Sequence, residues 1–325
     1  MSRLDGRHPE AVIVGAGLAG LACASRLQAA GRRVLVLEAS DGVGGRVRTD
    51  EVDGFRLDRG FQVLLTAYPE ARAALDLDDL ELRAFRPGAL IRRGDRFVRL
   101  GDPLRRPGEA LATLRSPVGG VLDKLRVGRL RASCQLGSVA RQLAGDDGST
   151  LAYLRQRGLS EAMIDGFFRP FLGGVFLEPD LATTSRMFRF VFRMFAQGDA
   201  AIPSRGMGAI AEQLASRIPV TALQLSTPVT EVAPGRVVLH GGETLECDRI
   251  VVATDGEAAS RLLPGVPEPQ WNPVACVYFA ADRAPITEPI LLLDGDRRGP
   301  INNLCFPTRV AGSYGPDGRD LVSVS

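Results

Sequence analysis

Residues 11–38, AVIVGAGLAGLACASRLQAAGRRVLVLE, leave little freedom of fold. The apolar run Ala11–Val14 suits a strand buried on both faces. Gly15, Gly17 and Gly20 follow at G-x-G-x-x-G spacing. The first glycine permits a tight turn, the second lets a pyrophosphate approach the backbone, and the third lets a helix pack close to the strand. A helix over residues 18–30 aims its N-terminal amides and its dipole at such a phosphate, and Gly31 ends it. Val34–Leu37 reads as a second buried strand with Glu38 at its tip. A carboxylate there accepts hydrogen bonds from a ribose 2′-hydroxyl and repels a 2′-phosphate. The pattern predicts a βαβ unit with a dinucleotide site, and by itself is equally compatible with FAD and NAD.

A second glycine cluster follows, Gly42-Val43-Gly44-Gly45-Arg46-Val47-Arg48-Thr49. It can bring backbone amides and the Arg46 guanidinium to the far side of the pyrophosphate; the plain alternative is a surface turn. With these residues in place, the stretch resembles the FAD-binding opening of the flavin amine oxidase superfamily, which includes amine oxidases, protoporphyrinogen oxidases and phytoene-desaturase-like enzymes. The resemblance continues through Gly54-Phe55-Arg56-Leu57-Asp58-Arg59-Gly60-Phe61-Gln62, similar to the family's segment reaching the flavin. It returns at Pro228-Val229 and at Ile250-Val251-Val252-Ala253-Thr254. The chain looks closest to bacterial oxidoreductases related to phytoene desaturases. The resemblance implies an α/β protein, a Rossmann-like FAD-binding domain with a discontinuous α+β substrate domain, and FAD as cofactor. The candidate cofactor contacts are Gly15, Ala16, Gly17, Leu18, Ala19, Gly20, Glu38, Ala39, Gly44, Gly45, Arg46, Gly60, Phe61, Gln62 and Val229. Val229 matches a valine that reaches adenine through its backbone; an ordinary strand valine is the alternative.

The expected division is residues 8–66 and 204–265 for the FAD domain, and 67–203 and 266–325 for the substrate domain. Residues 1–8 read as a lead-in, residues 68–75 as a short helix, and 89–92 and 96–100 as short strands. Residues 108–144 are helical and basic, with Arg115, Lys124, Arg126, Arg129, Arg131 and Arg141 among Leu, Val and Ala. The functional reading is a face resting on an anionic membrane; the plain one is a solvated helix face. Gly145-Asp146-Asp147-Gly148 reads as a loop, and Ser149 or Thr150 as the cap of the next helix. Phe167, Phe168, Phe171, Phe176, Phe188, Phe190, Phe192 and Phe195 are eight of the chain's 14 phenylalanines. They read as a helical core with some rings lining an apolar cavity, and a turn is expected at residues 171–176. Pro203-Ser204-Arg205-Gly206-Met207-Gly208 resembles the family's return to the FAD domain. Residues 220–253 read as strands with turns at Pro234-Gly235 and Gly241-Gly242. The chain ends in a strand-like LVSVS, whereas related flavoproteins continue into a Gly-Asp followed by a helix. That predicts a substrate domain incomplete at its C-terminus.

A chain of 325 residues suffices for about two domains. A net charge of +2 gives no reason to invoke nucleic acid. Cys23, Cys134, Cys247, Cys276 and Cys305 are scattered, without metal-ligand spacing, which suits a reducing cytoplasm. The N-terminal residues lack an apolar signal core. Of 40 basic residues one, Lys124, is a lysine, and it does not match the position at which some members of the family hold a lysine near the flavin. His8 and His240 are poor acid/base candidates by position, so no catalytic residue is assigned. This scarcity favours an FAD-dependent oxidoreductase that transfers hydride from an apolar, isoprenoid- or carotenoid-like small molecule. Protoporphyrinogen or amine oxidation is one alternative, and a noncatalytic flavin-binding fragment another. The expected location is cytoplasmic with peripheral membrane contact; the oligomeric state is left open.

Overall fold

The computed structural model describes residues 8–145 and 147–325. Of the expected lead-in only His8 falls among them, and Asp146 of the expected loop lies outside them. The chain forms two compact units. The first comprises the residues up to Asp50 together with Ala73–Leu80 and Arg205–Trp271; the second comprises Glu51–Arg72, Glu81–Ser204 and Asn272–Ser325.

In the first unit, β1 (Ala11–Val14), α1 (Leu18–Ala29) and β2 (Val34–Leu37) stand as the sequence predicts. A four-stranded sheet has the order Leu223–Gln224, β2, β1, Arg249–Val252, with every neighbouring pair parallel. In register, Ala11 faces Val34 on one side and Arg249 on the other. One face packs Ile13 and Val36 against Leu21 and Ala24 of α1 and against Ala211 and Leu214 of the helix Gly208–Ala215. On the other face Val12, Val14, Leu35 and Leu37 pack on Val237 and Leu239 of an antiparallel sheet formed by Val229–Ala233, Arg236–Leu239 and Thr244–Glu246. Burial from both sides is why β1 and β2 are continuous apolar runs rather than alternating ones. This is a Rossmann-like α/β fold.

The second unit is α+β. Its six-stranded sheet runs Val277–Ala281, Asp320–Val324, Asn303–Cys305, Leu291–Asp294, Gly88–Arg93, Arg96–Gly101. It is antiparallel except where Leu291–Asp294 runs parallel to Gly88–Arg93. Helices bury Leu130, Leu154, Met163, Phe168 and Phe188 against Ile91 and Leu293 of that sheet. The helical stretch expected over residues 108–144 is three helices, Ala110–Arg115, Val121–Gln135 and Val139–Leu143. Ser149 caps the helix Thr150–Gln156 by accepting the Ala152 N–H, while the Thr150 hydroxyl donates to the Thr183 carbonyl.

Two expectations are corrected. The turn expected at residues 171–176 is helical, the end of Arg169–Phe176, and the chain breaks at Leu177, whose φ is +55°. Gly174 serves packing there, since a Cβ would come within 2.8 Å of the Asn303 amide nitrogen. The boundaries also fall elsewhere. Residues 51–66 belong to the second unit, because Leu64 and Leu65 pair with Ala201 and Ala200 and because Tyr314 donates to the Asp58 carboxylate. Residues 73–80 return to the first, where Ala74 and Leu75 join its core and Gln213 accepts the Asp76 N–H at 2.9 Å while donating to the Asp79 carboxylate at 2.8 Å. Residues 266–271 stay with the first unit, ending at Trp271, which lies beneath the Arg46 guanidinium.

Candidate functional site

At the C-terminal ends of β1 and β2 two glycine loops lie side by side. Gly15 takes φ +103°, its N–H donates to Leu37 O at 2.8 Å, and a Cβ would press on the Ala253 carbonyl at 3.0 Å. That conformation favours glycine. Gly20 stands so close beneath the turn that a Cβ would overlap the Gly15 carbonyl oxygen. Gly17 differs: a Cβ there would meet nothing within 4 Å. Gly17 is the N-cap of α1, no side chain caps the helix, and its first turn holds no acidic residue. The amides of Leu18, Ala19 and Gly20 therefore open that helix end, where an anion is stabilised.

The second cluster closes on the first. The Gly44 N–H donates to Ala16 O at 2.8 Å, Gly17 and Gly44 bridge in parallel, and Gly45, with φ +58°, brings its Cβ position to 3.5 Å from the Gly17 Cα. Arg46 is exposed, with its guanidinium carbon 5.7 Å from the centre of the Trp271 ring.

Glu38 is buried and already at work. Oε2 accepts the Ala16 N–H at 2.7 Å; Oε1 accepts the Ser40 N–H at 2.9 Å and lies 2.7 Å from the Ser40 hydroxyl. A carboxylate oxygen offers about two acceptor positions, so Oε2 keeps one for a ribose hydroxyl while Oε1 is filled. Ala39 beside it is exposed. The backbone of Glu38 also accepts the Thr227 N–H at 2.8 Å, which leads the chain to Val229, paired with Leu239 at the start of its strand. These contacts gather residues 15–20, 38–39, 44–46 and the approach to Val229 into one region of the first unit. An open cradle at Gly17, an uncapped helix end and an acceptor at Glu38 fit the pyrophosphate and ribose of a dinucleotide.

Gly60, Phe61 and Gln62 belong to the second unit. Gly60 takes φ +96°, with its N–H on Asp58 O at 2.7 Å. Phe61 meets Phe85 edge-on with ring centres 6.0 Å apart, and Gln62 Nε2 donates to Arg59 O at 3.2 Å. The segment hangs from Asp58, whose carboxylate accepts from Tyr314 Oη at 2.8 Å and whose carbonyl accepts from Tyr278 Oη at 2.8 Å. Burial raises both phenol pKa values, so both tyrosines remain donors. These tyrosines, like Ser40 and Trp271, escaped the sequence reading. For the tyrosines and the tryptophan the only signal was scarcity, the chain having 4 tyrosines and 1 tryptophan.

Lys124 has a structural role. Its ammonium donates to the carbonyls of Leu114, Ser116 and Gly119 at 3.1, 2.6 and 3.3 Å, which uses all three of its protons. Burial lowers its pKa while the Asp123 carboxylate opposes the shift. His8 Nε2 lies at the surface, 3.2 Å from Asp248 Oδ1. Burial pushes the Cys134 thiol up to about 11 and raises Cys247 and Cys305, which keeps these three protonated and unreactive.

Comparison with known proteins agrees with this fold. The family model described as flavin containing amine oxidoreductase matches residues 18–325. Coproporphyrinogen III oxidase of Propionibacterium freudenreichii subsp. freudenreichii is 31% identical over 178 residues, 53% of this chain and 32% of that protein. Phytoene dehydrogenase of Streptomyces griseus is 52% identical over 64 residues, 20% of this chain and 13% of that protein. An oxidoreductase from Methanosarcina mazei has the same fold, with a TM-score of 0.73 at 18% identity over 97% of this chain and 78% of that one. The chain spans no more than about half the length of the curated relatives it matches. The family match makes the cofactor a flavin, FAD, and the chain belongs to the flavin containing amine oxidoreductase family.

Proposed function

We propose that the protein is an FAD-dependent oxidoreductase acting on an apolar small molecule of isoprenoid or carotenoid type. In this reading residues 8–50, 73–80 and 205–271 are the cofactor domain and the second unit is the substrate domain. The backbone amides at Gly17, Leu18, Ala19 and Gly20 hold the pyrophosphate from one side, with Gly44, Gly45 and Arg46 on the other. Glu38 Oε2 accepts from the adenosine ribose, Ala16 and Ala39 flank it through their backbones, and Val229 meets the adenine. The family resemblance adds Gly60, Phe61 and Gln62 as contacts to the flavin. Bound FAD supplies a hydride acceptor. The chain's own part is to bind, orient and keep water from the substrate, whose proton passes to solvent.

The observation that carries the substrate class is the phenylalanine set. Phe168 and Phe188 are fully buried, but Phe167, Phe171, Phe176, Phe190, Phe192 and Phe195 keep part of their surface open. Phe167 stacks on Phe171 at 5.4 Å, Phe171 contacts Phe195 at 5.1 Å, and Phe190 stacks on Tyr68 at 5.7 Å. Half-open rings of this kind offer apolar contact with few polar demands. Among the described residues no helix is long and apolar enough to cross a membrane. The reading therefore includes peripheral contact with the bilayer in which such substrates dissolve.

Porphyrinogen oxidation is the second reading, favoured by the coproporphyrinogen oxidase match. The test begins with the visible spectrum of the chain after FAD is added and excess is removed. The loaded protein is then mixed anaerobically with a polyene precursor, a porphyrinogen or a diamine. Bleaching of the flavin by the polyene alone supports the first reading, and by the porphyrinogen alone the second. A protein that retains no flavin sinks both.

A further inference from the structure

The helices Ala110–Arg115 and Val121–Gln135 meet at a corner of the second unit. Lys124 locks it, its three donors holding carbonyls at the end of the first helix and in the connection between the two. The side chains that project from this corner are aliphatic. Leu111 is 57% exposed, Val121 55%, Leu122 65% and Leu125 62%, with Leu114 also exposed. The inward face of the second helix places Asp123, Leu130 and Cys134 in the interior, so the outward leucines are the opposite face of a helix already packed.

Along this segment the exposed charge has one sign; the nearby exposed Glu161 is paired with Arg155. Between residues 104 and 141 the acidic residues are Glu109 and Asp123, both buried. Glu109 is held by Arg86 and Arg106, and Asp123 accepts from Gly120 and Ser160. Arg115 and Arg129 stand exposed among the leucines, with no carboxylate in ion-pair range among the described residues.

A monomer rarely leaves such a cluster bare. A second copy is disfavoured because the exposed Arg115 and Arg129 of two copies would face like charge. A protein partner is disfavoured because the exposed groups are Leu and Val, which seldom anchor protein interfaces. Aliphatic side chains that insert, rimmed by arginines that reach the headgroups, are the composition of an interfacial helix. We propose that this corner docks on an anionic lipid bilayer, with Leu111, Leu114, Val121, Leu122 and Leu125 entering the acyl boundary and Arg115 and Arg129 meeting the phosphates. The proposal deepens the peripheral contact named above and gives it a surface.

The experiment is co-sedimentation of the full chain with vesicles of phosphatidylcholine alone or mixed with phosphatidylglycerol, at low and high salt. Flavin content is measured on the same preparations, so that a failure of the cofactor reading is seen separately. The chain is expected to sediment with the mixed vesicles and far less with the neutral ones. Arg115→Glu with Arg129→Glu abolishes the preference for anionic lipid at low salt. Leu122→Ser with Leu125→Ser weakens binding about tenfold or more at either salt. The replaced groups are exposed, so each variant should keep the wild-type melting temperature. Failure to sediment with mixed vesicles overturns the proposal, as does binding that neither double variant changes. Self-association of the free chain that Leu122→Ser with Leu125→Ser abolishes, without vesicle binding, assigns the corner to a second copy and also overturns it.

Discussion

Gly17 and Gly20 stand three residues apart and do different work, which makes them the sharpest test at the scale of single residues. A methyl group at Gly20 would overlap the Gly15 carbonyl, so Gly20→Ala should lose about 1–3 kcal/mol of stability as the helix is pushed from the strand. At Gly17 a methyl group meets only open space and φ is −70°. Gly17→Ala should therefore unfold within about 0.5 kcal/mol of wild type and yet retain much less FAD, because the methyl would fill the space a pyrophosphate needs. Chemical unfolding and bound-flavin spectra on the two variants check this; a Gly17→Ala chain that keeps its flavin removes the glycine from the cradle. Trp271 offers a second test. It is the single tryptophan and lies beneath Arg46, so FAD, whose absorption overlaps indole emission, should quench it on titration, and Arg46→Ala should weaken the affinity read from that quenching if Arg46 holds the phosphates. The tight turn at Gly15 and the close packing at Gly20 were legible in the sequence because each is decided within a few residues. That Glu38 is held by Ser40 and Ala16 was not, because a carboxylate's partners depend on how the turn folds over it.

Among the elements, the helix Val121–Gln135 shows how a buried charge ties two helices together. Asp123 accepts from the Ser160 N–H at 2.8 Å, the Ser160 hydroxyl at 2.7 Å and the Gly120 N–H at 2.8 Å. Burial opposes its charge, but the bonds from Ser160 and Gly120 outweigh it and hold the carboxyl below the usual carboxylate range. Asp320 behaves alike: burial is opposed and outweighed by the Ala284 N–H, the Thr308 hydroxyl and Arg309. A depressed folded-state pKa means that the stabilisation is present above the unfolded value, about 3.9, and is lost as pH falls through the folded one. Urea unfolding should thus show stability falling on acidification below about pH 4. Asp123→Asn should cost about 1–3 kcal/mol near neutrality and flatten that acid limb; an unchanged limb assigns it to other groups. The helix Arg169–Phe176 teaches the converse lesson. Its Gly173-Gly174 pair reads as a turn in one dimension, and only the approach of Asn302 and Asn303 shows that Gly174 is there for room.

For the whole molecule, the question is which segments respond together to the cofactor. Hydrogen exchange on adding FAD should slow at residues 15–20, 38–46 and 227–229 of the first unit. Gly60, Phe61 and Gln62, in the second unit, should slow with them if they meet the flavin; exchange there that ignores FAD would remove those three from the site while leaving the rest standing. The small net charge of +2 hides a local cationic surface around residues 104–141, because acids elsewhere balance it. Composition therefore excludes little about surfaces, and the exposed aliphatic corner is a property of the folded chain.

By itself the sequence determined the βαβ opening, the turn at Gly15 and the close packing at Gly20, the acid at the tip of β2 and, through the family resemblance, FAD. The first three rest on contacts within some 40 residues, which a linear pattern can encode. Tertiary structure alone decided that residues 51–66 leave the first unit and that residues 73–80 return to it. It also decided that Lys124 is spent on backbone carbonyls and that Asp58 hangs from Tyr278 and Tyr314. Those two bonds join residues 220 and 256 positions apart, and no local period or spacing carries a contact of that range, because it depends on how separately formed elements come to pack.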